Sequence, residues 1–232
     1  ARQRLAFRRT PHKVLFVIPR KGTPTLMGYS LSWIAVRGKS PESVLAELKL
    51  ARTGKLEETP EAPFSAAALP GGWFLVIAND CNYADRAPLK KLSQGAEVAA
   101  CALEEHVMAS GASGYRDGEE RWSIMHDSER GLSHLNISGD PPKAAGAIHK
   151  RAEAKQAAEG GDDAEVDYLF EVPVEVAAKM TGFRHDRSMP AIRFETLKKR
   201  AARPRDNPPM QRTGPAGKLS AGRKPRVRRP GR

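Results

Sequence analysis

Along the chain, apolar and polar residues change rhythm in ways that separate strands from helices. From Tyr29 to Val36, Tyr29, Leu31, Trp33 and Ala35 alternate with Ser30, Ser32, Ile34 and Val36. A period of two with an aromatic-rich face predicts a strand, and Gly38 stops it. Ser40 followed by Pro41 predicts a helix start, because serine caps free N–H groups and proline fits the first helical position. Val44, Leu45 and Leu48 supply the buried side of that short helix. Residues 51–63 are polar, hold Pro60 and Pro63, and read as a surface connection with a brief edge strand around Lys55–Thr59. Trp73 to Ala78 is a continuous apolar run behind the turn Pro70-Gly71-Gly72, the pattern of a strand buried on both faces.

Further on, Leu89 to Leu92 predicts a short helix closed by Gly95, and Glu97 to Leu103 a strand. A second, weaker strand covers 107–116. Asp117-Gly118 is a hairpin signal, since a type I′ turn needs positive φ at both positions. Arg121 to His126 is the return strand, and Ser133 to Ser138 alternates again with Leu135 and Ile137 inward. Asp140 before Pro141 is expected to cap a surface helix running to about Ala158 and ended by Gly160-Gly161. Val166 to Val172 reads as extended. Pro173 is expected to start a further helix stopped by Gly182, and Ile192 to Leu197 forms a last strand. The order predicts an α+β fold: an antiparallel meander with helices packed on one face, spanning about 27–199.

Charge alters this picture only at the ends. The 232 residues carry a formal net charge of +12. Residues 1–26 hold seven Lys/Arg and no acid, and residues 200–232 hold eleven Lys/Arg and one Asp. The remaining 27–199 has 21 basic and 26 acidic residues, a net −5. Partners must therefore be argued separately for core and flanks. Residues 200–232 also contain six Pro and four Gly, a composition unable to offset its own backbone entropy, so a disordered basic tail is expected. The composition of 1–26 fits either an organellar targeting peptide or sequence upstream of a natural start at Met27. The second is favoured, because Met27 stands directly before the first patterned element.

Cys81 and Cys101 are too few for a disulfide framework and read as buried apolar residues. The longest early apolar run, Val14 to Ile18, is too short for a membrane span or a secretory core. A cytoplasmic location without membrane attachment is expected.

Candidate chemistry lies in the histidine phrases. Glu104, Glu105 and His106 are consecutive, His126 precedes Asp127, and His185 precedes Asp186. Histidine can ligate metal or move protons near neutral pH, and paired titratable groups build acid–base sites. Spacing gives no H-E-x-x-H, C-x-x-C, G-x-S-x-G, P-loop or dinucleotide fingerprint. No metal and no cofactor is expected. The residues open to a hydrolase-like role are Glu104, Glu105, His106, His126 and Asp127. The bland alternative has His106 and His126 at strand ends, bonding nearby backbone or carboxylates, with replacement of either by alanine altering stability modestly. In the tail, Arg223, Lys224, Arg226, Arg228 and Arg229 are candidates for weak, salt-dependent nucleic-acid contacts, although no aromatic residue accompanies them for stacking.

The phrases Met27-Gly28-Tyr29-Ser30-Leu31-Ser32-Trp33, Gly72-Trp73-Phe74-Leu75-Val76, Glu104-Glu105-His106-Val107-Met108, Trp122-Ser123-Ile124-Met125-His126-Asp127 and Thr181-Gly182-Phe183-Arg184-His185-Asp186 together resemble an uncharacterised family of bacterial proteins of unknown function. The resemblance covers roughly 27–198 and neither flank. It implies the domain boundaries and a start near Met27, and carries no activity, cofactor or catalytic residue. The leading functional expectation is a non-catalytic domain that binds another protein. Neutralisation of a basic toxin, as by an immunity protein, suits the −5 core. The alternatives are nucleic-acid association through the flanks and a hydrolase-like enzyme using the Glu/His set.

Overall fold

The structure, a computed structural model, describes residues 28–200. The expected basic extension 1–26 and the tail 201–232 lie outside the described residues.

Strand β1 (Ser30–Arg37) and strand β4 (Trp73–Ala78) are apolar on both sides and pair with each other, antiparallel, in the middle of one nine-stranded sheet. All six residues of β4 are buried. Leu31, Trp33 and Ala35 enter one core, while Ile34 and Val36 enter another across the sheet. A sheet with two apolar faces must be covered twice. Helices α4 (Ala144–Ala158) and α5 (Glu171–Thr181) cover the first face. Helices α1 (Pro41–Glu47), α2 (Tyr83–Arg86) and α3 (Leu89–Leu92) cover the second. The α+β class and the antiparallel sheet are as expected. Packing on a single face describes the two longest helices, and the short three lie opposite because Ile34, Val36, Phe74 and Val76 need cover there.

The meander holds for β5 (Glu97–Glu104), β6 (Ala109–Arg116), β7 (Glu119–Asp127) and β8 (Asn136–Gly139). Its β6–β7 turn has φ of 53° at Asp117 and 83° at Gly118, both positive as a type I′ turn requires. The other half is not sequential. The order runs β2-β9-β3-β4-β1-β5-β6-β7-β8, with β2 (Leu50–Glu57), β3 (Phe64–Leu69) and β9 (Phe194–Lys199). The final strand therefore enters between two early ones. Ser40 caps α1 by accepting from the Ser43 N–H at 3.3 Å, with Pro41 at its first turn.

Several local expectations differ. Val166 to Val172, read as extended, holds no strand: the chain turns at Leu169–Phe170 and enters α5 at Glu171. Strand β3, Phe-Ser-Ala-Ala-Ala-Leu, carries too little bulk to announce itself. Asp140 does not cap α4: Pro141 and Pro142 follow it, the helix begins at Ala144, and the Asp140 N–H donates to the Arg121 carbonyl at 2.9 Å. Strand β8 lies at the sheet edge with all four residues exposed, so Ile137 is 38% exposed despite standing opposite the buried Ile124. Helix α5 starts at Glu171, ahead of Pro173, because the Asp167 carboxylate accepts from the Phe170 N–H at 3.0 Å and turns the chain early. No helix among the described residues is long and apolar enough to cross a membrane.

Close approach fixes one position strongly. The Trp122 indole lies across Gly114, and a Cβ there would sit 2.1 Å from Trp122 Nε1. Gly114→Ala is expected to destabilise the fold by roughly 1–3 kcal/mol, the usual cost of overpacking. Gly146→Ala, on α4 with nothing within 4 Å of a new Cβ, should instead add about 0.5–1 kcal/mol. Urea unfolding midpoints of the two variants check the contrast.

Candidate functional site

At one end of the sheet, register places Glu104, the last residue of β5, opposite Ser30, the first of β1. Both face the α2 side. Glu104 Oε2 accepts from the Ser30 hydroxyl and, at 3.6 Å, from the Cys81 thiol. Its Oε1 accepts from His106 Nδ1 at 2.5 Å and from the His106 backbone N–H at 3.3 Å. Burial pushes the Glu104 carboxyl up, but the bonds from Ser30 and His106 outweigh it and hold the group below its ordinary value. Burial, with the neighbouring Glu104 charge, pushes the Cys81 thiol up despite a bond with Ser30. Cys81 is thus a protonated donor here, unlike the thiolate that nucleophilic chemistry needs. The hydroxyl, the thiol and the imidazole all converge on one carboxylate. Neither Ser30 nor Cys81 is bonded to His106, so the nucleophile–base contact of a hydrolytic dyad is not formed.

The next residue, the first of the turn after β5, points the other way. Glu105 accepts from the Tyr29 N–H at 2.8 Å and lies 3.6 Å from His185 Nε2. The Tyr29 ring meets the His185 ring edge-on at 4.8 Å. Burial holds the His185 imidazole below its ordinary value, against the pull of Asp186 and Glu105. Beside it, the largely buried Arg184 pairs with Glu171 at 2.5 Å and Asp186 at 2.7 Å, tying the loop after α5 back to that helix's start.

His126 belongs to neither group. Its side chain is 0% exposed on the α5 side of β7, with Nε2 2.8 Å from Asp167 Oδ2. Its Nδ1 donates to the His134 carbonyl at 2.7 Å, since a carbonyl can only accept. Asp167 in turn holds the Phe170 N–H. The trio pins the entry to α5 onto the sheet. Asp127 accepts from the Glu129 N–H at 3.1 Å and pairs with Arg130 at 3.3 Å, closing a turn.

Glu104, Glu105, His106, His126 and Asp127 are therefore not one cluster. Glu104 and His106 meet, Glu105 turns to His185, His126 is buried against Asp167, and Asp127 closes a turn. Cys81 and Cys101 are free thiols on opposite faces. Among the described residues no group of three or more His, Cys, Asp or Glu could hold a metal ion. The tail candidates Arg223, Lys224, Arg226, Arg228 and Arg229 lie outside the described residues.

The opposite end of the sheet holds a feature that sequence reading missed. Trp73, Arg37, Glu97 and Arg116 stand in direct register across β4, β1, β5 and β6. They form one rung on the α5 side. The Arg37 guanidinium lies over the Trp73 ring at 4.6 Å and bonds Glu97 at 2.5 Å, while Arg116 reaches the same carboxylate at 3.2 Å. This rung borders an open groove of about 630 Å³, whose lining adds Arg121, Trp122, Tyr115, Asp140, Pro142 and Met180. Arg121 pairs with the exposed Glu119 at 3.1 Å. Gly114 allows the Trp122 indole to lie flat there, and Gly139 allows β8 to close on β7, where a Cβ would meet the Arg121 carbonyl at 2.0 Å. The rung joins neighbours 36, 60 and 19 positions apart in the chain, so no local pattern announces it. A smaller pocket of about 140 Å³ lies between α4 and α5 beside the Arg151–Glu175 pair.

Comparison with known protein families, with curated proteins and with solved structures gives no match for this chain.

The expectation that both histidines can be removed at modest cost is corrected for His126. His126→Ala leaves Asp167 buried without its partner, and breaking such a pair costs about 3–5 kcal/mol. His106→Ala, at a side chain 60% exposed, should cost no more than about 0.5 kcal/mol. Chemical denaturation of both variants reads the difference.

Acid should act in two windows. The folded chain holds His185 below its ordinary value of about 6.5, so the unfolded chain binds more protons and stability declines as pH falls below that point. Glu104 is also held low. Its contribution is complete above about 4.3 and is lost as pH falls through its folded value. Melting temperatures across this range should show His185→Gln flattening the upper window and Glu104→Gln the lower.

Proposed function

We propose that this domain is a non-catalytic module that binds another protein through the groove bordered by Arg37, Glu97 and Arg116. The observation that carries the reading is the groove itself. Its guanidiniums are half exposed beside a floor of Trp122, Pro142 and Met180. Arginine and aromatic residues anchor protein interfaces because they combine large contact area with directional donors. No cysteine, serine or histidine lines this groove. The residues that would serve catalysis are engaged elsewhere, in the Glu104 network and in the buried His126–Asp167 pair. Burial also pushes the Cys101 thiol up to about 12, which removes it as a nucleophile at neutral pH. An arginine-rimmed groove repels a basic partner, so the comparison with toxin-neutralising proteins is not carried forward. The nucleic-acid reading rests on the charge of the two flanks and would be marked by affinity falling steeply with salt.

A photo-reactive amino acid in place of Met180, on the floor of the groove, tests the binding reading in the native cell. The expected result is a discrete adduct of polypeptide mass, absent when the same group replaces Lys150 on exposed α4 and lost on Arg37→Glu. Equal adducts from both positions, or none from the groove, would overturn it.

A further inference from the structure

We infer that the groove selects an acidic peptide segment, carboxylates flanking an apolar side chain. This inference rests on the protein-binding reading and names the chemistry of the partner. Three guanidiniums, from Arg37, Arg116 and Arg121, border the groove against the carboxylates of Glu97 and Asp140. Their side chains are 46%, 58% and 50% exposed, so their unused N–H groups meet solvent. Residues 27–199 carry a net −5, yet this groove gathers positive charge.

The rung already displays the chemistry it accepts. Glu97 stands between Arg37 and Arg116 and takes one N–H from each. Each guanidinium has five donors in a planar fork, so most remain for an incoming carboxylate. Stacking on Trp73 holds Arg37 in one plane and presets the direction of its donors. Arg37 and Arg116 lie two strand spacings apart, roughly 10 Å. Both side chains nevertheless reach the same Glu97 oxygen, so their forks converge and can hold one acidic side chain of an extended segment together, leaving Arg121 for a second. Between them and Arg121, the Trp122 and Met180 surfaces offer a seat for an apolar side chain. The carbonyl end of α5 approaches through Met180, but its partial charge of about half a unit is less than the net +1 that three guanidiniums leave against Glu97 and Asp140.

Charge complementarity also decides among occupants. The flanks of this chain, with seven and eleven basic residues and a single acid between them, carry the same sign of charge as the guanidiniums and lack the acidic chemistry the groove selects.

The test pans a library of short random peptides against the full chain. The expected result is enrichment of peptides carrying at least two Asp/Glu around an apolar residue. The affinity of a selected peptide should fall about tenfold to a hundredfold in Arg37→Ala/Arg116→Ala, the scale of lost charge-assisted bonds. The charge-matched variant Lys90→Ala/Lys150→Ala, on exposed surface elsewhere, should bind within about twofold of the parent, which separates the groove from the basic flanks. Arg121→Ala alone, removing only a surface pair, gives a second reading should the double variant unfold. Equal loss in the charge-matched variant would overturn the inference, as would tighter binding of a nucleotide in the groove. So would a neutral or basic consensus. If crosslinks from position 180 persist with such a consensus, the protein-binding reading survives and only the acidic specificity is lost. If peptides and crosslinks are both absent, both readings fall.

Discussion

The central constraint on this fold is the two-sided apolarity of β1 and β4. A strand such as Trp-Phe-Leu-Val-Ile-Ala cannot face water on either side, so the sheet needs a helical layer above and below. Every helix is placed by that demand. The longer pair, α4 and α5, packs over Trp33, Leu75 and Ile77, and the three short helices pack over Ile34, Val36 and Val76. The charged ends of the same strands then have only the rims of the layers to occupy. The Glu104 network forms at one rim and the Arg37–Glu97–Arg116 rung at the other.

Buried polar groups complete the attachment of the helices. Hydrophobic contact sets how closely α5 lies on the sheet but leaves it free to slide. His126, Asp167 and the Ser110 hydroxyl, which donates to the Phe170 carbonyl at 2.6 Å, remove that freedom at the helix entry. Arg184 does the same from the helix exit through Glu171. A buried polar group left without its partner is costly, so these bonds specify one arrangement among several that would bury similar apolar area.

Much of the fold was legible because local physics decided it. The Asp117-Gly118 turn, the Ser40-Pro41 helix start and the apolar run of β4 each depend on neighbours in sequence. Strand β3 was illegible because alanines carry little pattern, and the position of β9 because pairing across the sheet leaves no local trace. Candidate chemistry was the least legible. Glu104-Glu105-His106 and His126-Asp127 look like clusters when written in a line, yet only Glu104 and His106 meet, Glu105 turning away beyond the end of β5 and the pleat of β7 sending His126 and Asp127 to opposite faces. Conversely, Arg37, Glu97 and Arg116 are far apart in the chain and meet only through strand register.

The insertion of β9 between β2 and β3 constrains how the chain acquires its shape. Among the described residues strand β2 pairs with no strand but β9, so its place in the sheet exists only once β9 has arrived from about 140 residues downstream. During synthesis the half containing β5 to β8 can assemble from near neighbours. Strand β2 and the outer edge of β3, whose other edge holds β4, must meanwhile wait unpaired, or pair wrongly across the short loop between them and reopen. Contacts this distant in sequence form slowly, and unpaired strands are open to association while they wait. Closure of the sheet is thus a late event, set by the emergence of residues 194–199 rather than by the strength of the central strands.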